Sequence, residues 1–148
     1  MNHRRLSPLC VGIVLSFMWC GAVMAAGKSE VKGAAILDHP CGKTAVKQMG
    51  LVHAGKMDEA NKLSTKEMQD QWKAMPAKDR TMMSGMMKEM SSTEEQFSND
   101  IKTNGVLAVD GQAATLTVQK KTKDKNGTST SSMTQKFKLD GGQCMVSQ

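Results

Sequence analysis

The spacing of hydrophobic residues in this 148-residue chain changes from helical to strand-like near residue 93. Between residues 41 and 92 apolar side chains recur every three or four positions, as on one face of an amphipathic helix. This spacing predicts four helices: one past Cys41 that Gly55 ends, a short one around Met57–Leu63, one from Ser64 that Pro76 ends, and one over Arg80–Met90.

Two motifs predict where these helices start. Ser64 and Glu67 have the spacing of a capping box, in which each side chain binds the backbone N–H of the other residue. Asp79 is placed to cap the fourth helix. Trp72 is expected to anchor the third helix in the core, because an indole ring buries a large apolar area.

From Thr93 onward, alternating apolar residues are separated by dipeptides that favour hairpin turns, such as Asp110-Gly111 and Asn126-Gly127. Four antiparallel strands are predicted, over Gln96–Val109, Gln112–Lys121, Thr128–Leu139 and Gln143–Ser147. Helices followed by hairpin-linked strands predict an α+β fold, with the helices covering one face of a curved, cone-like sheet.

The amino terminus has the three parts of a secretory signal peptide. Basic residues come first, an apolar run follows over Leu9–Trp19, and small residues allow cleavage after Ala25 or Ala26. The run is shorter than the roughly 20 residues of a stable membrane span, so no stable membrane anchor is expected. Cys20 is placed for lipid attachment, but bulky Trp19 argues against it.

This pattern divides the chain into three parts: residues 1–26 as a cleaved signal peptide, 27–40 as a flexible lead-in, and 41–148 as one domain in the periplasm. The whole chain has 20 basic and 14 acidic residues, and the excess of positive charge is spread out. With no tyrosine and 3% aromatic residues, binding to nucleic acid is not expected.

Two cysteines, Cys41 and Cys144, remain after removal of the signal peptide. An even pair in an oxidising compartment predicts a disulfide bond. The alternative is a metal or redox site, but the chain has no Cys-x-x-Cys spacing, and Cys41 with His39 offers only two donors.

The fourth predicted helix contains the candidate binding residues, Met82, Met83, Met86, Met87 and Met90. Their four-residue spacing suits one face of a helix, and methionine is a flexible apolar residue of cores and binding surfaces. Thioethers also bind Cu(I), so Met82, Met86 and Met90 form an alternative copper site. Because no histidine follows His53, a core or partner-binding surface is the preferred interpretation.

Two short motifs, GKMDEA at residues 55–60 and FKLDGGQCMV at residues 137–146, carry a resemblance to a known family. They resemble segments of the small exported bacterial domains of the nuclear transport factor 2-like superfamily, especially lipoprotein-like members of unknown function. Cys144 stands where that family usually has an aromatic residue. The resemblance implies a bent sheet around helices that leaves a pocket, in a superfamily of enzymes, small-molecule binders and protein-interaction modules.

Catalytic groups are not recognisable in the sequence. An enzyme of the ketosteroid isomerase kind needs a carboxylate base opposite tyrosine or protonated carboxyl donors, and this chain has no tyrosine. The acidic residues fall at helix starts or on polar faces, and His53 is expected to be a half-buried structural residue. An isomerase-like enzyme is therefore a remote alternative.

Together these patterns predict a non-enzymatic periplasmic binding module without a cofactor. Its partner is expected to be another periplasmic protein, bound by the methionine-rich helix and the cone opening, as in an immunity or accessory protein. A small apolar ligand is the alternative occupant, and Cu(I) binding is the alternative function.

Overall fold

In the computed structural model, which describes residues 27–124 and 127–148, helices and one antiparallel sheet form an α+β fold. The elements are β1 (Ser29–Lys32), a 3-10 helix (Gly33–Leu37), α1 (Pro40–His53), α2 (Met57–Asn61), α3 (Lys66–Ala74), α4 (Ala77–Met90), α5 (Glu94–Asn104), β2 (Gly105–Asp110), β3 (Ala113–Asp124), β4 (Gly127–Asp140) and β5 (Gln143–Ser147). The predicted signal peptide lies outside the described residues. No helix within them has the length and apolar character needed to cross a bilayer.

The sheet is a meander in which the five strands lie in chain order, β1-β2-β3-β4-β5, and all neighbours are antiparallel. Gly111 and Gly141 hold positive φ angles of 60° and 54° at two hairpin turns, as the Asp-Gly dipeptides predicted. Pairing sets Leu107 opposite Leu116 and Ala114 opposite Phe137, so apolar side chains of adjacent strands share the face that packs on the helices.

The prediction of a strand over Gln96–Val109 is wrong in its first half, which forms α5. Thr93 and Gln96 make a complete capping box: each side-chain oxygen accepts from the other residue's backbone N–H at 3.2 Å. Phe97 and Ile101, four residues apart, are both buried, which is helical spacing. Only Gly105–Asp110 continues as strand β2.

Two predicted helix starts also need correction. Thr65, not Ser64, is the N-cap of α3, and Ser64 is buried with its hydroxyl accepting from Gln48 Nε2. α4 begins at Ala77 after Pro76, so Asp79 lies in its first turn and does not cap it.

The fifth strand, absent from the sequence prediction, lies in the segment expected to be a lead-in. β1 pairs with β2, and the 3-10 helix that follows buries Ile36 completely. A Cβ on Gly42 would lie 1.8 Å from the carbonyl oxygen of Ile36, so this glycine allows α1 to pack directly on the 3-10 helix.

The predicted disulfide between Cys41 and Cys144 is present, with the two Cα atoms 4.9 Å apart. It joins the first turn of α1 to β5 inside the main core. The largest fully buried apolar side chains of this core come from the 3-10 helix, α5 and the sheet: Ile36, Ile101, Leu107, Leu116 and Phe137.

Candidate binding cleft

An open cleft of about 670 Å³ lies between helices α1 to α4 and the strands β4 and β5. Ligand sites in proteins commonly have volumes of roughly 300 to 1,000 Å³. Eight methionines line it, and we call it the methionine cleft: Met49, Met57, Met68, Met75, Met83, Met87, Met90 and Met133.

α4 forms one wall of this cleft and has methionines in two rows. Met83 and Met87, one turn apart, line the cleft and form the inner row. Met82 and Met86 form the outer row, which is not among the lining residues and is 61% and 57% exposed. Met90, in the last turn, borders the cleft but is 83% exposed.

The structure therefore separates the five methionines that the sequence grouped together. No residue of α4 is buried, so the core part of the preferred interpretation is wrong, and the partner-binding part stays a prediction. Met83, Met87 and Met90 face a cleft, whereas Met82 and Met86 offer apolar surface outside it. For the alternative copper site, Met82 and Met90 are separated by about 12 Å along the helix axis, which spreads its three sulfurs over two turns.

A short row of polar side chains crosses the otherwise apolar lining of the cleft. Gln48 on α1 donates through Nε2 to the hydroxyl of Ser64 at 3.3 Å and to the carbonyl of Ala60 at 3.5 Å. Gln135 on β4 donates through Nε2 to Gln48 Oε1. These bonds join α1, the α2–α3 connection and the sheet across the cleft.

The α2–α3 connection is also fixed to the edge of the sheet. The N–H of Thr65 donates to the carbonyl of Val146 at 2.8 Å, and the N–H of Val146 donates to the carbonyl of Leu63 at 2.9 Å. Ser64 lies between these two bonds, so its hydroxyl is held under the cleft by backbone and not by a mobile loop.

Trp72 lies at the border of the cleft and not in the core. It is partly exposed and packs against a small apolar cluster of Val52, Met57 and Ala60, separate from the main core. Its Nε1 donates to Asp58 Oδ1 at 2.8 Å, which fixes the orientation of the indole ring. The ring therefore serves as a wall of the cleft.

Among the described residues, the side chains that line the methionine cleft are uncharged, because none of them is acidic, basic, histidine or cysteine. The carboxylates with shifted pKa lie on exposed parts of α3. Backbone and Thr65 hydrogen bonds lower the pKa of Glu67, and Lys66, 2.9 Å away, lowers the pKa of Asp70. The cleft thus presents thioethers, an indole, amides and hydroxyls.

Both candidate histidines have structural contacts. His39 is the N-cap of α1, where Nδ1 accepts from the N–H of Cys41 at 3.2 Å, and burial lowers its pKa. His53 is exposed, not half-buried as expected, and its ring lies 3.3 Å from the carbonyl of Ser91 after α4. In the described ranges no three His, Cys, Asp or Glu side chains are grouped to hold a metal ion.

The sequence analysis missed Gln48 and Gln135. Gln48 is three residues after Ala45 and four before Val52, on the apolar face of α1, and Gln135 alternates with Met133 and Phe137 on β4. A polar residue on an apolar face is the signal that indicates both positions.

No known protein family, curated protein or solved structure matches this chain. The resemblance to the nuclear transport factor 2-like superfamily therefore stays a prediction, and the proposals below rest on the geometry of the cleft.

Proposed function

We propose that this protein is a non-enzymatic binding module of the periplasm whose methionine cleft binds a small apolar ligand. The observation that carries the proposal is the lining of the cleft: eight thioethers and the indole of Trp72 around a space large enough for a ligand. Methionine side chains have flexible torsions and polarisable sulfurs, so they adapt to apolar groups of different shape. The side chains of the lining are uncharged, which supports binding over acid–base chemistry.

Neighbouring methionines on α4 provide a matched test. Met87 belongs to the inner row and Met86 to the outer row, and their exposures of 41% and 57% are similar. We expect Met87→Lys to weaken binding of the neutral fluorescent probe N-phenylnaphthylamine at least tenfold, because the ammonium group loses hydration when ligand fills the cleft (roughly 1.4 kcal/mol per tenfold). Met86→Lys should leave the affinity unchanged.

The measurement is a fluorescence titration of the purified oxidised proteins, with circular dichroism to check that both variants fold. Equal weakening in the two variants, or equal affinity in both, would contradict binding in the cleft.

A second candidate function is binding of another periplasmic protein, for example as an immunity or accessory protein. The outer row favours it, because Met82 and Met86 continue the apolar surface beyond the cleft, where a small ligand would not reach. Exposed methionines suit an amphipathic segment of a partner. A photo-crosslinker at position 86 in living cells should then capture one protein, and Met82→Lys should abolish that product while binding of the probe survives.

A further inference from the structure

The polar row of the methionine cleft contains a buried acceptor that lacks a donor. Within the described part of the chain, Gln135 Oε1 is buried and has no hydrogen-bond partner. A buried carbonyl oxygen without a donor is destabilising, so such atoms are rare and call for an explanation.

The hydrogen bonds between the two amides determine which atom of Gln135 has no partner. The carbonyl of Ala60 can only accept, so Gln48 must direct its Nε2 toward Ala60 and Ser64. Gln48 Oε1 then faces β4 and requires a donor, which is Gln135 Nε2. Gln135 Oε1 is consequently the free acceptor, and rotating its amide by half a turn would break the bond to Gln48.

The surroundings of this acceptor favour an aromatic ring. Met133 precedes Gln135 by two residues on the same face of β4, and Met49 follows Gln48 on α1, and both line the cleft. Contacts between a thioether and the edge of an aromatic ring are favourable. Methionine torsions are soft, so the methionines of the lining can rearrange when a donor approaches the buried oxygen.

We propose that the methionine cleft selects a neutral aromatic molecule that has one hydrogen-bond donor, and that Gln135 Oε1 accepts from that donor. An indole or a phenol has this chemistry: a flat apolar ring with a single N–H or O–H at its edge. The inference rests on the proposed function, since it names the class of ligand for the same cleft.

Indole and indene are the probes that test it. They have nearly the same shape, but indene has a CH₂ group where indole has its N–H. We expect indole to bind at least roughly fivefold more tightly than indene, the ratio that one net hydrogen bond of about 1 kcal/mol produces. Both affinities are measured by NMR on protein labelled at the methionine methyl groups, with Met49 and Met133 as reporters in the cleft and Met145, which does not line it, as the internal control.

Two variants locate the selectivity. Gln135→Met removes the acceptor at similar volume but leaves Gln48 Oε1 without its donor, so it is combined with Gln48→Met. This double variant should bring the ratio of indole to indene affinity close to one. Gln71→Met is the matched control, because Gln71 also lines the cleft but is exposed and accepts from Gln148. It should keep the fivefold preference.

The outcomes separate the inference from the function on which it rests. A preference for indole that the double variant loses and Gln71→Met keeps supports the inference. Equal binding of the two probes by the unmodified protein, or a preference that persists in the double variant, overturns it while the cleft remains a ligand site. If neither probe shifts Met49 or Met133, the proposed binding of small apolar ligands is itself wrong.

Discussion

The two halves of α1 lie in different surroundings, although their apolar residues have the same helical spacing. The amino-terminal half places Cys41 and Ala45 in the main core, together with α5 and the 3-10 helix. The carboxyl-terminal half contributes Val52 to a small cluster beside the cleft, opposite α3 and α4, which contain no buried residue. One helix thus joins a closed core to an open apolar cavity.

The residue types on the two sides explain this difference. Around the core, rigid branched and aromatic side chains such as Ile101, Leu116 and Phe137 fill space in defined rotamers. Around the cleft, unbranched methionines dominate, and their flexibility suits the ligand binding that we propose for it. Spacing identifies which face of a helix is apolar, whereas the residue types on that face indicate whether it packs in the core or lines the cleft.

The largest effect should come from removing the disulfide on the core side. Cys41→Ser with Cys144→Ser releases a loop whose ends are 103 residues apart, which is expected to lower the free energy of unfolding by about 4 to 5 kcal/mol in the chain-entropy model. Urea unfolding followed by circular dichroism measures it, and reduction of the unmodified protein is the control. A loss below about 1 kcal/mol would mean that the core does not depend on this bond.

A pair of alanine substitutions compares the core with the cleft directly. Phe137→Ala empties a fully buried site and should cost about 3 to 5 kcal/mol. Met87→Ala removes a partly exposed wall of the cleft and should cost less than about 1 kcal/mol while weakening binding of the apolar probe. Equal costs in urea unfolding would show that the methionines form a second core and not a binding surface.

The outer row together with Met90 allows a test of the copper alternative, with a smaller expected change in stability. Replacing Met82, Met86 and Met90 with leucine conserves apolar volume and should change stability by less than about 1.5 kcal/mol per site. We expect probe binding in the cleft to survive and Cu(I) affinity, measured by competition with a chelator, to be the same as before. Tight Cu(I) binding that disappears in the variant would instead favour copper handling.

The main core was more predictable from the sequence than the methionine cleft. The disulfide followed from the single pair of cysteines, Cys41 and Cys144, that remains after the predicted signal peptide. A core strand followed from the alternation of Ala114, Leu116 and Val118. α5 was missed because Thr93 and Gln96 form a capping box inside a region otherwise rich in strand signals. The cleft depends on how α3 and α4 are held away from the sheet, and this tertiary arrangement leaves no periodic trace in the sequence.

The smallest expected effect is a pH dependence of stability that arises at the amino-terminal end of α1. Burial lowers the pKa of His39 below its ordinary value, and its Nδ1 must stay unprotonated to accept from the N–H of Cys41. The stabilisation from this residue is therefore complete above the unfolded-state pKa of about 6.5 and is lost as pH falls through the lower pKa of the folded state.

His39→Asn keeps an acceptor at the N-cap without a titrating ring. Between pH 7.5 and 5, about one unit or more either side of that unfolded-state pKa, the Tm of the unmodified protein should fall further than that of the variant. Probe binding should stay constant in both, because no side chain in the described lining of the cleft is ionisable. Superimposable Tm curves would show that the cap contributes nothing, and a change in probe affinity over this range would show that the core and the cleft are coupled through α1.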